Sequence, residues 1–386
     1  MRFNSVLEKL TPYRASPPLA EIRRHYGLER LFIMSANEVP WGPFPEVIEK
    51  LKAALDTLNR YPDGSCGELR AEIASRVGVP KQCLTFGNGS CEILMLLGQA
   101  FLGPRSHVVF PQPSFVMYRS IALAREAPFT AVPMPDFRYD LGAMLDAIQE
   151  NTSMVILCNP NNPTGTYVEP QELRGFLDQV APDVAVVLDE AYGEFVTSPL
   201  HEDSASWIDK YHNLVVLRTF SKIYGLAGLR VGYALAAPEI VEALDKIRQP
   251  FNVDSLAQIA ALESLRHPER VRERREKVAA ERERVSQRLN EMGIRTIPSQ
   301  ANFLLVDVDN LSIPGPEVPQ ALLERGILTR SGYAMGCPGW IRVTIGQVEE
   351  GDAFLAAMAE LIRGEAQVVP RRATWGLTAD TLSPES

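Results

Sequence analysis

Lys222 and Arg230, on either side of a glycine-containing turn, are the residues of this sequence best suited to covalent and anion-binding chemistry. Lys222 ends the segment Thr219-Phe-Ser-Lys222, which follows an apolar run, and Arg230 lies eight residues further on. A lysine amine forms Schiff bases with carbonyl compounds. The hydroxyl of Ser221 and the guanidinium of Arg230 can both bind a phosphate. Taken alone, a lysine after a strand is more often a solvated surface residue.

Further polar residues stand directly after two continuous apolar runs upstream. The run 154–158 leads into Asn162, and the run 184–188 leads into Asp189 and Tyr192. Apolar runs of this length, separated by helical lengths, predict buried parallel strands. Ligands of open α/β sheets bind beyond the carboxyl ends of such strands. We therefore expect these side chains to share one crevice with the lysine.

The chemistry of this set suits pyridoxal phosphate, a carbonyl cofactor with an electron-accepting ring. An aspartate beside a pyridinium nitrogen keeps that nitrogen protonated, which makes the ring a better electron sink. Asn162 and Tyr192 could each hydrogen-bond the phenolic oxygen of the cofactor. As isolated residues, Asp189 could instead cap a helix, and Asn162 could serve only the turn of its Asn-Pro pair.

Together these motifs resemble the fold-type I pyridoxal-phosphate aminotransferases, and within that group the histidinol-phosphate aminotransferase family. The resemblance covers nearly the whole chain, up to a tail after residue 365, with the motifs in family order and at family-like spacing. The matching motifs are Leu10-Thr-Pro-Tyr13, Asn37-Glu-Val-Pro-Trp-Gly-Pro43, Arg60-Tyr-Pro-Asp-Gly64, Asn162-Pro-Thr-Gly165, Asp189-Glu-Ala-Tyr192, Ser221-Lys222 with Arg230, and Trp340-Ile-Arg-Val-Thr344.

The resemblance implies which residues act on the cofactor. Lys222 would be the Schiff-base lysine and proton shuttle, Asp189 the partner of the ring nitrogen, and Tyr192 a ligand of the ring oxygen. Phe115 would stack on the ring, although a core aromatic is the plain alternative. The implied cofactor-binding residues are Ser90, Cys91, Phe115, Asn162, Asp189, Tyr192, Ser221, Lys222, Arg230 and Tyr61.

Tyr61 carries an implication about assembly. In the family, the matching tyrosine reaches the cofactor phosphate of the neighbouring subunit. The resemblance therefore implies a homodimer with shared active sites. A tyrosine of the core is the alternative reading of the residue alone.

Four further residues are implied to bind the substrate: Tyr13, Asn37, Arg330 and Arg342. Arg342 would be the anchor of the substrate anion, because its neighbours in the strand face the other way and an inward arginine needs an anionic partner. A surface strand arginine is the alternative. Arg330 and Tyr13 match positions that contact the substrate phosphate, and Asn37 lies in a loop over the site.

The implied reaction is transamination of L-histidinol phosphate with 2-oxoglutarate, giving imidazole acetol phosphate and glutamate, as in histidine biosynthesis. Three departures from the family pattern bear on the substrate. Cys91 stands where the family often has Asp, Val39 replaces the Asn of Asn-Glu-Asn-Pro, and Arg14 follows Tyr13 where Pro-Gly is usual. An aromatic or other amino-acid aminotransferase, a phosphothreonine-type decarboxylase and a cofactor-binding regulator without chemistry remain alternatives.

The implied fold class is α/β: a large domain with a mostly parallel seven-stranded sheet between helices, plus a small α/β domain. A length of 386 residues agrees with two domains. Helical periodicity predicts long helices over 239–265 and 267–289, the second with an apolar seam of Val271, Val278 and Val285. The expected organisation is an N-terminal arm with part of the small domain (1–40), a large cofactor-binding domain (41–265), a linking helix (266–290), a small C-terminal domain (291–365) and a tail (366–386).

Composition limits the partners. A net charge of −9 without a basic tract argues against a nucleic-acid partner. No apolar run is long enough to span a bilayer, and no signal peptide is evident at the N-terminus. The five cysteines form no CxxC pair, which favours reduced core thiols and predicts no metal site. We expect a cytoplasmic enzyme that acts on small molecules.

Overall fold

The computed structural model describes residues 1, 3, 5–10 and 17–364. Tyr13 and the predicted tail 366–386 lie outside the described residues. The β-strands are β1 Phe32–Ile33, β2 Leu84–Asn88, β3 His107–Gln112, β4 Phe129–Pro133, β5 Thr152–Cys158, β6 Ala185–Asp189, β7 Leu214–Thr219, β8 Val231–Ala236, β9 Phe303–Asp307, β10 Ile327–Leu328, β11 Arg330–Ser331 and β12 Trp340–Thr344.

α-Helices lie between many of these strands along the chain. The α-helices are α1 Leu19–Tyr26, α2 Pro45–Ala54, α3 Gly67–Val77, α4 Ser90–Phe101, α5 Met117–Ala124, α6 Leu141–Asp146, α7 Pro170–Leu177, α8 Pro238–Asp245, α9 Ser255–Leu265, α10 Pro268–Glu291, α11 Val318–Glu324 and α12 Val348–Arg363. Within the described ranges, none of these helices combines the length and the apolar character that crossing a membrane requires.

The main sheet has seven strands in the order β2-β8-β7-β6-β5-β3-β4. Pairs among β3 to β7 are parallel, and β8 runs antiparallel to both of its neighbours. The predicted mostly parallel seven-stranded sheet is therefore confirmed. The carboxyl ends of β2, β3, β5, β6 and β7 and the start of β8 consequently lie at one edge of the sheet.

Apolar residues on both faces hold this sheet between two helical layers. Every residue of β6 and β8 is buried, as the continuous apolar runs predict for strands covered on both sides. On one face, α4 and α5 pack in a core with Val187 and Leu217. On the other face, α7, α9 and α10 contribute to a larger core with Val186 and Val216.

A smaller sheet of three antiparallel strands, in the order β11-β12-β9, follows later in the chain. The N-terminal segment joins this region, because β1 pairs in parallel with β10. Its continuation runs toward the main sheet: Met34 accepts a backbone hydrogen bond from Thr344, and Asn37 donates its N–H to the Thr344 hydroxyl at 3.0 Å. Residues from both sheets thus meet near Asn37.

The long helix expected over 239–265 is wrong, because the segment forms two helices. Helix α8 ends at Asp245, and α9 begins at Ser255. Pro250 lies between them, and proline disrupts a helix interior. The Asp254 side chain accepts the N–H of Ala257 at 2.8 Å and caps the start of α9.

Helix α10 confirms the helix expected over 267–289 and the burial of its valine seam, of which Val278 is fully buried. It also buries charged side chains beside the seam, among them Arg274 and Arg282. Arg274 donates to the carbonyl of Ile223 at 2.8 Å, and Arg282 donates to the carbonyl of Ala301 at 2.7 Å. Arg274 thereby holds the loop after Lys222 against α10, and Arg282 holds the segment before β9 against the same helix.

The turn before α4 requires close backbone approach at two glycines. A Cβ on Gly232 of β8 would lie 2.6 Å from the Ser90 nitrogen, and a Cβ on Gly89 would overlap the Arg230 guanidinium. Gly89 also has a φ of +72°, which glycine adopts without strain. Absence of a side chain at both positions lets Arg230 and the start of α4 lie together.

We predict that Gly232→Ala destabilises the protein and displaces the start of α4. The added methyl group must push backbone atoms apart, so the free energy of unfolding should fall by about 1–3 kcal/mol. Gly228→Ala is the matched control, because no atom lies within 4 Å of its Cβ. Chemical denaturation of both variants gives the comparison, and equal stability of the two variants would contradict the packing described here.

Candidate active site

Lys222 lies just beyond the carboxyl end of β7, as predicted. Its amine donates to the carbonyl of Ala36 at 3.3 Å and lies 5.5 Å from the centre of the Tyr192 ring. Burial, followed by the nearby Arg342 cation, lowers the pKa of the Lys222 amine to about 8. A larger fraction of this amine is therefore neutral near neutral pH than for an ordinary lysine, and a neutral amine can attack a carbonyl or accept a proton.

Asp189 ends β6 and is buried. Its Oδ2 accepts a hydrogen bond from the Tyr118 hydroxyl at 2.8 Å, and its Oδ1 accepts the N–H of Ala191 at 3.1 Å. Burial raises the pKa of this carboxyl to about 6, above its usual range, while these two donors and Lys222 act in the opposite direction. A buried carboxylate of this kind favours a cationic partner.

An anion-binding cradle forms where β7, β8 and α4 meet. Arg230 donates to the Ser221 hydroxyl at 3.2 Å, and its own carbonyl accepts the N–H of Gly89 at 3.0 Å. Ser90 is the first residue of α4, and Gly89 offers no side chain to cap that helix. Hydroxyls, a guanidinium and free helix N–H groups together match a phosphate.

Cys91 and Phe115 border this cradle on the α4 and α5 side. Cys91 is half-buried in the first turn of α4, and burial raises the pKa of its thiol, with Asp189 adding to the effect. The Phe115 ring is half-buried and packs edge-to-face on Tyr118, with ring centres 5.8 Å apart. The side chain of Tyr118 therefore lies between Phe115 and the Asp189 carboxylate.

Four predicted residues form two hydrogen-bonded pairs, Asn37 with Tyr192 and Asn162 with Arg342. Asn37, with φ of +55°, donates from its amide to the Tyr192 hydroxyl at 2.9 Å. Asn162 accepts a hydrogen bond from Arg342 at 2.6 Å. Asn162 follows β5 and Arg342 belongs to β12, so this contact joins the main sheet to the smaller one.

Arg342 is buried, as expected for an inward-facing arginine. Its two acceptors are neutral oxygens, the side chain of Asn162 and the carbonyl of Ser35, the latter at 2.6 Å. Its Nε is buried and has no hydrogen-bond partner among the described residues. Burial lowers the pKa of Arg342 to about 10, and Arg330 contributes to the decrease. A guanidinium so placed is suited to an anionic ligand.

Arg330 lies directly opposite Arg342 in the pairing of β11 with β12. Residues directly opposite each other in antiparallel strands project from the same face. Two cations on one face repel each other unless an anion lies between them, and a doubly charged anion compensates both. This pair is the feature of the smaller sheet that most constrains the ligand.

Tyr61 is the predicted residue that the fold does not bring to this group within one chain. Its side chain is 81% exposed and stacks on Phe251, with ring centres 4.8 Å apart. Phe251 is itself 46% exposed, so the two rings form an apolar surface feature. The position of Tyr13, the remaining predicted residue, lies outside the described residues.

Sequence reasoning missed several residues that orient the predicted ones. Tyr118 lies one helical turn after Phe115, and Thr344 lies two positions after Arg342, so each faces the same side as the residue already identified. Asn302 donates to the Asn37 carbonyl at 3.1 Å. The carbonyls of Ser35 and Ala36 bind Arg342 and Lys222 through the backbone, and backbone acceptors leave no mark in a motif.

The arrangement fits a flat ring that carries a cationic nitrogen, a phosphate and a carbonyl group. Asp189 can offer a buried negative charge to such a nitrogen, and the cradle of Arg230, Ser221 and Ser90 can offer hydrogen bonds to a phosphate. Lys222 supplies an amine with a lowered pKa. A ligand with a cationic ring nitrogen, a phosphate and a carbonyl group matches pyridoxal 5′-phosphate. The side chains at the site are compatible with this cofactor.

Comparison with known proteins agrees with this chemistry. The Aminotransferase class I and II family matches residues 29–358. The histidinol-phosphate aminotransferase of Geobacillus thermodenitrificans is 42% identical over 363 residues, which cover 94% of this chain and 99% of that protein.

Solved structures show the same fold. The histidinol-phosphate aminotransferase of Sinorhizobium meliloti, determined in complex with pyridoxal-5′-phosphate, superposes with a TM-score of 0.86 at 29% identity, covering 95% of this chain and 98% of the other. The L-threonine-O-3-phosphate decarboxylase of Porphyromonas gingivalis superposes with a TM-score of 0.77 at 26% identity, covering 86% and 100%. The chain belongs to the Aminotransferase class I and II family, and it is an enzyme whose cofactor is pyridoxal 5′-phosphate.

Proposed function

We propose that this enzyme transaminates L-histidinol phosphate with 2-oxoglutarate, giving imidazole acetol phosphate and glutamate, in histidine biosynthesis. The observation that carries the proposal is the pairing of Arg330 with Arg342 on one face of the smaller sheet. A phosphate monoester carries up to two negative charges near neutral pH. Two adjacent guanidiniums match that charge better than one would.

The relatives support the same substrate. Histidinol-phosphate aminotransferases at about 40% identity match this chain over nearly its full length. The second substrate, 2-oxoglutarate, carries a carboxylate at each end, and a guanidinium fork accepts a carboxylate as well as a phosphate. We propose that Arg342 is the anchor shared by both substrates.

Within this reaction, we assign the residues around Lys222 to the cofactor. The ring nitrogen is assigned to Asp189, the phosphate to Ser90, Ser221 and Arg230, and the ring oxygen to Asn162 and Tyr192. Phe115 is assigned to the ring face, Cys91 to the first turn of α4 beside the phosphate, and Asn37 to the substrate side. Bound there, the cofactor supplies a carbonyl for covalent capture of an amine and a ring that accepts electrons.

The residues of the chain perform the proton transfers and the charge compensation. The neutral amine of Lys222 would take the proton from the substrate Cα and would donate it to the carbon of the cofactor's carbonyl group. A lowered pKa suits the amine to both directions of this transfer, because neither protonation state is strongly favoured near neutral pH. Asp189 holds its negative charge in a site with little water, where that charge acts strongly on a nearby cation.

We also propose that Arg342 exchanges its hydrogen-bond acceptors when a substrate anion binds. Its guanidinium donates to the side chain of Asn162 and to the carbonyl of Ser35. Binding of a substrate anion offers the guanidinium a charged acceptor, which is stronger than a neutral one. We infer that the arginine then turns toward the substrate and releases Asn162 to the ring oxygen of the cofactor.

We also propose a homodimer with shared sites, the five-part organisation described above and a cytoplasmic location. The exposed stack of Tyr61 on Phe251 supports the dimer, because an exposed pair of apolar rings is suited to contact with a second subunit. The sheet of β2 to β8 lies within 41–265, and β9 to β12 lie within 291–365. All five cysteines are free, as is usual in a reducing compartment.

A substrate screen tests the proposed reaction. The purified enzyme is given 2-oxoglutarate with L-histidinol phosphate, phenylalanine or phosphothreonine, and both glutamate and carbon dioxide are followed. Glutamate from histidinol phosphate alone supports the proposal. Glutamate from phenylalanine but not from histidinol phosphate indicates an amino-acid aminotransferase, and carbon dioxide from phosphothreonine indicates a decarboxylase.

We predict that the two arginines differ in their effects on the substrates. Arg342→Ala should raise the transition-state free energy for both histidinol phosphate and 2-oxoglutarate by about 2–4 kcal/mol, because each loses a charge-assisted contact. Arg330→Ala should harm histidinol phosphate more than glutamate, because the second cation serves the doubly charged phosphate. Measurement of kcat/KM for each substrate gives the comparison, and equal damage by Arg330→Ala to both substrates contradicts the assignment.

We predict that borohydride reduction attaches the cofactor to Lys222 and to no other lysine. In the cofactor-free protein, an amine-acylating reagent should modify Lys222 with a midpoint near pH 8, because only the neutral amine reacts and burial lowers its pKa to about 8. Lys210 is the matched control: its hydrogen bond to Asp178 raises its pKa, so it should react at higher pH. Peptide mapping reads out both experiments, and cofactor fixed by borohydride to Lys210 or Lys246 refutes the assignment.

We predict that hybrid dimers recover activity from two inactive variants. Lys222→Ala and Tyr61→Ala subunits are mixed, so that in each hybrid one site carries both changes and the other carries neither. If Tyr61 reaches the neighbouring cofactor, each hybrid regains up to one working site. Activity of the mixture is measured against each variant alone, and absence of any recovery in confirmed hybrids contradicts shared sites.

A further inference from the structure

Tyr118 is a fully buried tyrosine in α5 that contacts the Asp189 carboxylate directly. Its hydroxyl donates to Oδ2 of Asp189 at 2.8 Å. The remaining donor to this carboxylate among the described residues is the backbone N–H of Ala191, at 3.1 Å to Oδ1. Tyr118 is therefore the side chain that determines how one carboxylate oxygen is oriented.

The same tyrosine also supports Phe115. The two rings pack edge-to-face, with centres 5.8 Å apart and planes at 87°. Its other aromatic neighbour is Phe110 of β3, with ring centres 6.5 Å apart. Because these contacts fix the ring, the hydroxyl has little freedom to leave Asp189. One residue thus connects the ring assigned to the cofactor face with the carboxylate assigned to the cofactor nitrogen.

We propose that Tyr118 is a positioning residue that keeps Asp189 ionised and aimed at the protonated ring nitrogen of the cofactor. The proposal rests on the role assigned to Asp189 under the proposed function. In this role Tyr118 contacts neither the substrate nor the reacting atoms of the cofactor, and it acts only through the Asp189 carboxylate.

The electrostatics around Asp189 give this hydrogen bond its importance. Burial raises the pKa of Asp189 to about 6, so the carboxylate is close to protonation at the lower end of the physiological range. Hydrogen bonds from Tyr118 and Ala191, together with the Lys222 cation, lower this pKa and so favour the ionised carboxylate. The titratable and charged groups that act on Asp189, or are acted on by it, are Tyr118 and Tyr139, Cys91, Cys158, Glu190, Tyr192 and Lys222.

The state of Tyr118 itself is fixed by its surroundings. Burial, with the neighbouring Asp189 charge, raises the pKa of the Tyr118 hydroxyl well above its ordinary value. The hydroxyl therefore stays protonated wherever Asp189 titrates, and it remains a donor. When the proton is removed from Asp189, the hydrogen bond strengthens, since an ionised acceptor binds a donor more tightly.

Tyr118→Phe tests the proposal, because it removes one oxygen and keeps the ring. The measurement is the dissociation constant of pyridoxal 5′-phosphate from the reconstituted enzyme as a function of pH. In the wild-type protein, affinity should fall as the pH decreases through about 6, where Asp189 becomes neutral. In Tyr118→Phe this midpoint should move upward by about one pH unit, the effect expected of one hydrogen bond to a charged group.

Tyr211→Phe is the matched control. Its hydroxyl donates to Asp178 at 2.8 Å, the same kind of pair, at the opposite end of β7 from Lys222. This variant should keep the wild-type midpoint. A uniform loss of affinity at every pH in Tyr118→Phe, or an unchanged midpoint, overturns the proposal, because a merely structural tyrosine has no reason to move the titration of Asp189.

A second variant keeps the test decisive if Tyr118→Phe does not fold. Replacement of Tyr118 by a fluorinated tyrosine retains the ring and the hydroxyl but makes the hydroxyl a stronger donor. The midpoint should then move below that of the wild type, opposite to the shift for phenylalanine. An upward shift or none overturns the proposal.

Asp189→Asn separates this proposal from the role of Asp189. If Asp189→Asn weakens cofactor binding and Tyr118→Phe leaves the midpoint in place, the positioning role alone is overturned and the assignment of Asp189 stands. If Asp189→Asn binds the cofactor like the wild type at every pH, the assignment of Asp189 fails and the role of Tyr118 fails with it.

Discussion

A negative charge buried at the end of β6 is the constraint around which the site is built. Asp189 is held out of water by strands on both sides, and burial alone pushes its carboxyl toward neutrality. Burial also disfavours the charged forms of Lys222 and Arg342, and it therefore lowers the pKa of each. Removing charges from water is costly unless they are paired. A ligand with a cationic nitrogen and an anionic group compensates charges that the protein alone leaves incompletely paired.

The two sheets meet at this constraint. Arg342 of the smaller sheet donates to Asn162 of the main sheet, and Asn37 of the N-terminal segment donates to Tyr192. Arg274 of α10 fastens the loop after Lys222 through the carbonyl of Ile223. Contacts within the candidate site are therefore also contacts between parts of the fold.

The strand ends and the polar residues just beyond them could be predicted from the sequence, because a polar residue after a continuous apolar run is a local signal. Asp189 and Lys222 were identified in this way. The orienting residues could not be, since their signal is spatial: Tyr118 sits in a helix far along the chain from Asp189, and the carbonyls of Ser35 and Ala36 act through backbone common to all residues. The break between α8 and α9 was missed because apolar periodicity continued across Pro250. The buried arginines of α10 were missed because a charged residue on a helix is ordinarily solvated.

The most direct test of the account is the half-reaction of Asp189→Ala with L-histidinol phosphate. Cofactor-saturated enzyme is mixed with the amino donor in the absence of 2-oxoglutarate, and loss of the cofactor's visible absorbance is followed in a single turnover. Loss of a preorganised charge of this kind costs about 3 kcal/mol, so the variant should react at least about a hundredfold more slowly than the wild type while retaining its thermal stability. A variant that keeps its fold and reacts at a near-normal rate would contradict the central role of the buried carboxylate.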